Sequence, residues 1–163
     1  MPFEIVRNDI VKVTADAIVN TANPKPLIGA GTDYAIYRDA GPELLEARKA
    51  IGNIQSGQVA VTPAFGLNAK YVIHAVGPVW KGGTESEEEI LRQTYDNALE
   101  AAVSYRCQSV AFPLMATGTY RFPKDKGLSI AIGAFTDFLM THDIRIILVV
   151  FDKPVFELAG QLI

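Results

Sequence analysis

Two segments of this chain, Tyr71-Val72-Ile73-His74-Ala75-Val76 and Ile144–Phe151, are almost continuously apolar. A strand with one wet face alternates apolar and polar residues. A strand apolar on both faces must be covered on both. The covers are visible between such segments. Ser86–Tyr105 carries Ile90, Leu91, Thr94, Tyr95, Ala98, Leu99 and Ala102 at helical spacing, and Lys124–Met140 carries Leu128, Ala131, Ile132, Phe135, Phe138 and Leu139. Each is an amphipathic helix with one core-facing stripe. Buried strands alternating with such helices predict an α/β fold with a central sheet between helical layers.

The other elements fit this frame. Phe3–Val6, Ala17–Asn20, Val59–Thr62 and Ser109–Leu114 read as strands. Asp33–Ala40 reads as a helix stopped at Gly41-Pro42, followed by a short helix over Glu43–Lys49. Ser86 and Glu89 match a capping box at the start of the long helix. Pro154–Leu162 closes the chain as a helix. With 163 residues and no linker, repeat or low-complexity tract, the chain is read as one domain over 1–163.

Two loops stand out. The run Asn20-Thr21-Ala22-Asn23, followed by Gly29-Ala30-Gly31-Thr32-Asp33, leads from a strand into a helix. Ala116-Thr117-Gly118-Thr119-Tyr120-Arg121-Phe122-Pro123 does the same after Ser109–Pro113. Glycines allow close approach of backbone N–H groups to oxygens, and a helix N-terminus adds a positive end, so each loop is a potential anion cradle. Together they could hold the two halves of a diphosphate. Two plain βα turns would look similar, because Gly and Thr are ordinary turn residues. Ligands in sheets of this kind sit at the carboxyl ends of strands, where both loops lie.

Net charge is −3, which argues against wrapping nucleic acid with a basic surface. Cys107, the single cysteine, has no internal disulfide partner; it is read as structural and fits a cytoplasmic location. With two histidines and one cysteine, no metal site is expected. No apolar run reaches bilayer length, and Met1–Arg7 lacks the pattern of a signal peptide.

Several spaced motifs, in order, resemble the macro domain family, the ADP-ribose-binding module. They are Asn8-Asp9-Ile10-Val11, Asn20-Thr21-Ala22-Asn23, Ile28-Gly29-Ala30-Gly31, Thr32-Asp33-Tyr34-Ala35-Ile36-Tyr37 and Ala40-Gly41-Pro42. Lys70–Pro78 and Ala116–Pro123 continue the match over nearly the whole chain. The resemblance implies a three-layer α/β/α macro domain fold with a central mixed sheet, and a function in binding ADP-ribose. By position, Asp9 would accept the adenine amino group and Ile10 would offer its N–H. Gly29, Ala30, Gly31 and Thr32 would hold one phosphate, and Thr117, Gly118, Thr119 and Tyr120 the other. Tyr120 would also lie against the distal ribose, which Asn23 would hydrogen-bond. Phe151 or Asp152 would border the adenine. Asn23 and Asp33 would be the catalytic pair of an enzyme that hydrolyses ester-linked ADP-ribose, on protein carboxylates or in O-acetyl-ADP-ribose. No cofactor is implied. The expected partner is ADP-ribose or an ADP-ribosylated protein, with no membrane and a monomer by default.

Three departures from the family pattern bear on that expectation. Tyr37 stands where many hydrolytic members carry His, and Tyr34 and Arg121 stand where most carry Gly. A tyrosine is not a base near neutral pH. Tyr34 either narrows the cleft or points away along its helix. Arg121 either caps the diphosphate or is solvated. The alternative functions are a non-catalytic ADP-ribose reader and a regulatory partner of a ribonuclease. Glu87-Glu88-Glu89 reads as a solvated first turn of a helix, His74 as a hydrogen-bonded core residue, and the loop at Trp80-Lys81-Gly82-Gly83 as plain surface in preference to a border of the ligand cleft.

Overall fold

The computed structural model describes residues 3–163; Met1 and Pro2, which open the segment read above as lacking a signal peptide, lie outside the described residues. The chain runs β1 (Phe3–Arg7), a 3-10 turn (Ile10–Lys12), β2 (Ala17–Thr21), α1 (Thr32–Ala40), α2 (Pro42–Ile51), β3 (Val59–Pro63), β4 (Tyr71–Ala75), α3 (Glu87–Ser104), β5 (Ser109–Pro113), α4 (Lys124–Leu139), β6 (Arg145–Val150) and α5 (Lys153–Gln161). The six strands form one sheet in the order β1-β6-β5-β2-β4-β3. All neighbours are parallel except β3, which pairs antiparallel with β4 at the edge. The sheet is therefore mixed.

Side chains of the inner strands alternate between two apolar layers. Val19, Ile73, Val110, Phe112, Ile146 and Leu148 face one layer, built from α3, α4 and α5. Ile18, Val72, Ala111, Ile147 and Val149 face the other, built from α1 and α2. This is why the strands read as continuously apolar: both sides of each strand are inside. The larger layer is centred on aromatic rings. Phe112 and Phe135 lie 5.0 Å apart, and Tyr95 lies 5.6 and 5.7 Å from them. The Tyr95 hydroxyl also accepts the Met115 N–H at 2.9 Å, which ties the start of the loop after β5 to the core.

The topology decides where a ligand can lie. From β2 the chain crosses to β4 and β3 on one side, and from β5 it crosses to β6 on the other. The loops leaving β2 and β5 therefore diverge from adjacent strands and open a crevice between them, the usual ligand position in such sheets.

Two expectations at the start of α3 need correction. The capping box does not form. Ser86 has a left-handed backbone, φ 59° and ψ 29°, and its side chain makes no capping bond. Nor is the acidic first turn wholly solvated, because Glu87 is buried. Its carboxylate turns back and accepts N–H bonds from Lys81 at 2.8 Å, Gly83 at 2.9 Å and Glu85 at 2.5 Å. Burial pushes this carboxyl up, but the converging backbone donors hold it lower still, at about 2. The acidic run thus includes the residue that ties down the loop before the helix.

In that loop Lys81, Gly82 and Gly83 are exposed surface, as read, and Trp80 is the half-buried exception. The Trp80 N–H donates to the Tyr120 carbonyl at 2.8 Å, and its ring packs edge-on against Phe122 at 4.9 Å. It buttresses the second glycine-bearing loop from behind.

Candidate functional site

A cleft of about 570 Å³ opens across the carboxyl ends of β1, β6, β5 and β2. Each strand contributes the residues that follow it. After β1 come Asn8, Asp9 and Ile10, and after β6 come Phe151 and Asp152. After β5 come Leu114, Ala116 and Thr117–Tyr120, and after β2 come Ala22, Asn23 and Gly29–Asp33. The cleft is elongated by construction, since β1 and β2 stand three interstrand spacings apart, about 14 Å.

At the β1 end, Asp9 caps the 3-10 turn and accepts the Val11 N–H at 3.2 Å through Oδ1. Asn8 Oδ1 accepts the Asp9 N–H at 2.8 Å. Phe151 is largely exposed at the rim beside them. Both Phe151 and Asp152 line the cleft, so the structure admits both residues between which the sequence left the choice open.

The middle holds the two loops, each delivered onto the N-terminus of a helix. Gly31 precedes α1 with φ 65° and ψ −129°, a backbone that favours glycine. The second loop closes on itself through the Arg121 N–H to Gly118 carbonyl bond at 3.0 Å and the Phe122 N–H to Ala116 carbonyl bond at 2.9 Å, and then enters α4. Among the described residues that line the cleft, Lys124, the first residue of α4, is the one cation, against Asp9, Asp33 and Asp152. An anion held here depends on directed N–H groups and helix ends more than on side-chain charge.

At the β2 end, the polar groups crowd tightly. Asp33 is buried, and both its oxygens are engaged: Oδ1 accepts from the Asn20 amide at 2.6 Å and Oδ2 from the Gly29 N–H at 2.6 Å. Burial raises its carboxyl above the ordinary value, while the Gly29 and Asn20 donors and the Arg48 charge pull the other way. Asn23 donates from Nδ2 to the Leu27 carbonyl at 3.3 Å. A Cβ added to Gly29 would stand 2.7 Å from Asn23 Nδ2 and 3.3 Å from Asp33 Oδ2. Glycine at this position is what lets both side chains close on the loop backbone. Across the cleft, burial and the Asp33 charge both raise the Tyr120 hydroxyl, so the two loops are electrostatically in touch.

The structure thus brings Asp9, Ile10, Asn23, Gly29–Asp33, Thr117–Tyr120 and Phe151 to one cleft. Arg121 is not among the residues that line the cleft, and its side chain is exposed, which favours the solvated of the two readings. Its backbone is left-handed, φ 62°, which supplies a conformational reason for the glycine that the family pattern carries there. Tyr34 is exposed on the outer side of α1 and does not narrow the cleft. Tyr37 does not line it either. It is buried in the layer under α1, with its ring 6.4 Å from His74, and burial pushes its hydroxyl up to about 12.

Sequence reasoning missed Lys124 and Asn8 as lining residues. Lys124 stands one position beyond the Ala116–Pro123 segment, and Asn8 opens the Asn8–Val11 motif without having been given a role, so the signal for both was adjacency alone. It also missed Arg48, a fully buried guanidinium beneath the first loop. Its Nη2 donates to the Asn23 carbonyl at 3.0 Å and the Pro24 carbonyl at 3.2 Å, and its Nη1 donates to the Gly52 carbonyl. Nothing local in the sequence marks it.

Comparison with known proteins bears on this arrangement. The family model described as Macro domain matches residues 19–131. A protein of Salmonella newport called O-acetyl-ADP-ribose deacetylase is 39% identical over 167 residues, covering 99% of this chain and 93% of that protein. The Oceanobacillus iheyensis macrodomain solved with ADP superimposes with a TM-score of 0.94 at 34% identity, covering 98% of this chain and 88% of that one. The Trypanosoma brucei macrodomain solved in complex with ADP-ribose gives a TM-score of 0.91 at 31% identity, covering 98% of this chain and 68% of that one.

Proposed function

This chain belongs to the macro domain family, and from that premise we propose that its cleft binds ADP-ribose and that it hydrolyses ester-linked ADP-ribose, with residues 1–163 acting as one domain. The observation that carries the reading is the order of groups along the cleft. A carboxylate at Asp9 and an aromatic rim at Phe151 stand at one end. Two loops of backbone donors follow, and the Asn23–Asp33 pair stands at the other end. That sequence of donors and acceptors, spread over about 14 Å, fits a nucleoside, a diphosphate and one further sugar better than a lone phosphate.

In this reading Asp9 and the Ile10 N–H take the adenine edge, and Phe151 covers its face. The Gly29–Thr32 and Thr117–Tyr120 backbones grip the diphosphate. Asn23 hydrogen-bonds the distal ribose, against which Tyr120 packs. Asp33 accepts a proton from water as that water attacks the ester carbonyl. The ester C–O bond then breaks, the ribose oxygen receives the proton, and a carboxylic acid leaves. Two features support Asp33 as the base. It lines the cleft at the ribose end, and burial shifts its carboxyl towards neutral pH, the direction general-base catalysis needs. The diphosphate grip supplies positioning, which holds the ester and water together.

The proposed substrate is O-acetyl-ADP-ribose or a carboxylate-linked ADP-ribosyl protein; the name of the Salmonella relative, a deacetylase of the former, supports the first of the two. Turnover of both substrates, assayed by release of ADP-ribose for wild type and Asp33→Ala, tests the proposal. Asp33→Ala should lose about 10²- to 10⁴-fold in rate with a far smaller change in affinity. Equal rates would eliminate Asp33 as the base, and no turnover by the wild type would leave an ADP-ribose reader.

A further inference from the structure

The first loop is held from below by two buried charges of opposite sign. Asp33 at the start of α1 holds the glycine end of the loop through the Gly29 N–H. Arg48 near the end of α2 holds the asparagine end, through the carbonyls of Asn23 and Pro24. The same guanidinium also reaches the carbonyl of Gly52, the residue that ends α2, so loop and helix end are joined at one point. Each of the two charges acts on the other. Arg48 is fully buried, and burying a guanidinium is costly unless its donors are used. Here three donors go to main-chain carbonyls, and two of those belong to the stretch that presents Asn23.

We infer that Arg48 is a positioning residue for the distal-ribose end of the cleft: its guanidinium fixes the backbone from which Asn23 reaches the sugar. This rests on the proposed reading of the cleft. The inference goes further in assigning a task to a residue that does not line the cleft and cannot touch the ligand. Arginine suits the task because its fork can donate to several carbonyls at once, whereas lysine offers a single centre on a flexible stem. The geometry has a directional consequence. Asp9, Phe151 and the Thr117–Tyr120 loop hang on β1, β6 and β5, and none of them is held by Arg48. Loss of Arg48 should therefore disturb the ribose end and spare the adenine end.

The test is calorimetry with AMP, ADP and ADP-ribose on wild type, Arg48→Lys and Arg48→Met, together with kcat and KM for an ADP-ribosyl ester. Both variants should bind AMP as the wild type does, lose most of the affinity gained between ADP and ADP-ribose, and show kcat lowered about 100-fold, the loss that a displacement of about 1 Å produces. Arg48→Lys keeps the charge and serves where Arg48→Met does not fold. A merely structural role would lower the thermal midpoint and weaken AMP, ADP and ADP-ribose by the same factor. That result, or unchanged ADP-ribose affinity and kcat in Arg48→Lys, overturns the inference. A wild type that does not distinguish ADP-ribose from ADP would instead defeat the reading of the cleft on which the inference stands.

Discussion

His74 should make the stability of this protein depend on pH through a group outside the cleft. It sits mid-strand in β4, fully buried, with Nε2 at 3.0 Å from Thr62 Oγ1. Burial, aided by the Arg48 charge, lowers it from 6.5 to about 3. The unfolded chain therefore takes up a proton on this ring at a pH where the folded chain does not. Stability from this source is fully present above about pH 6.5 and is lost as pH falls towards 3. At about pH 5 the unfolded imidazole is favoured by about 1.5 pH units, which is about 2 kcal/mol, and the complete loss is bounded at about 5 kcal/mol. His74→Gln removes the titration and can still bond Thr62. Urea unfolding at about pH 7.5 and about pH 5 should show the wild type losing about 2 kcal/mol more than His74→Gln over that interval. Taking the difference cancels the carboxylates, Asp33 and Glu87 included, because both proteins carry them. Parallel pH dependences would refute the claim that His74 is held neutral in the fold.

Three further outcomes follow from particular contacts. Asp9→Asn keeps an oxygen for the Val11 N–H but weakens the acceptor proposed for adenine, so calorimetry should show AMP, ADP and ADP-ribose all weakened by about 1–3 kcal/mol; an effect on ADP-ribose alone would place the adenine elsewhere. Gly29→Ala puts a Cβ 2.7 Å from Asn23 Nδ2, so steady-state kinetics should show turnover falling by a larger factor than AMP affinity, and an unchanged kcat would mean that Asn23 moves aside without consequence. Arg121→Gly should leave ADP-ribose affinity unchanged while relieving a left-handed backbone, raising stability in urea by up to about 1 kcal/mol; weakened binding would return Arg121 to the site.

The architecture was legible in the sequence because its signals are local. Continuous apolar strands such as Ile144–Phe151 need two covering layers, and the stripes of α3 and α4 supply one of them. The cleft was legible because its residues cluster just after strands, in Asn20–Asp33 and Ala116–Phe122. What escaped was three-dimensional. Glu87 sits in an acidic helix start, where solvent is the ordinary surrounding, and only the return of the 81–85 loop buries it. Arg48 stands 24 and 25 residues from the loop carbonyls it holds, with no motif to link them. Arg121 lies inside a recognised loop, yet a left-handed backbone accompanies an exposed side chain. Tyr37 raised doubt about catalysis as a residue type. Its ring lies in the core beneath the site and does not line the cleft.

In the proposed function, one elongated cleft reads adenine at the Asp9 end and a second sugar at the Asn23 end. Titration calorimetry of the wild-type protein with AMP, ADP and ADP-ribose tests it most directly. One site per chain is expected, with affinity that tightens at each step of the series and ADP-ribose the strongest ligand. No detectable binding of ADP-ribose at about millimolar concentration, or equal affinity for AMP and ADP-ribose, would contradict it.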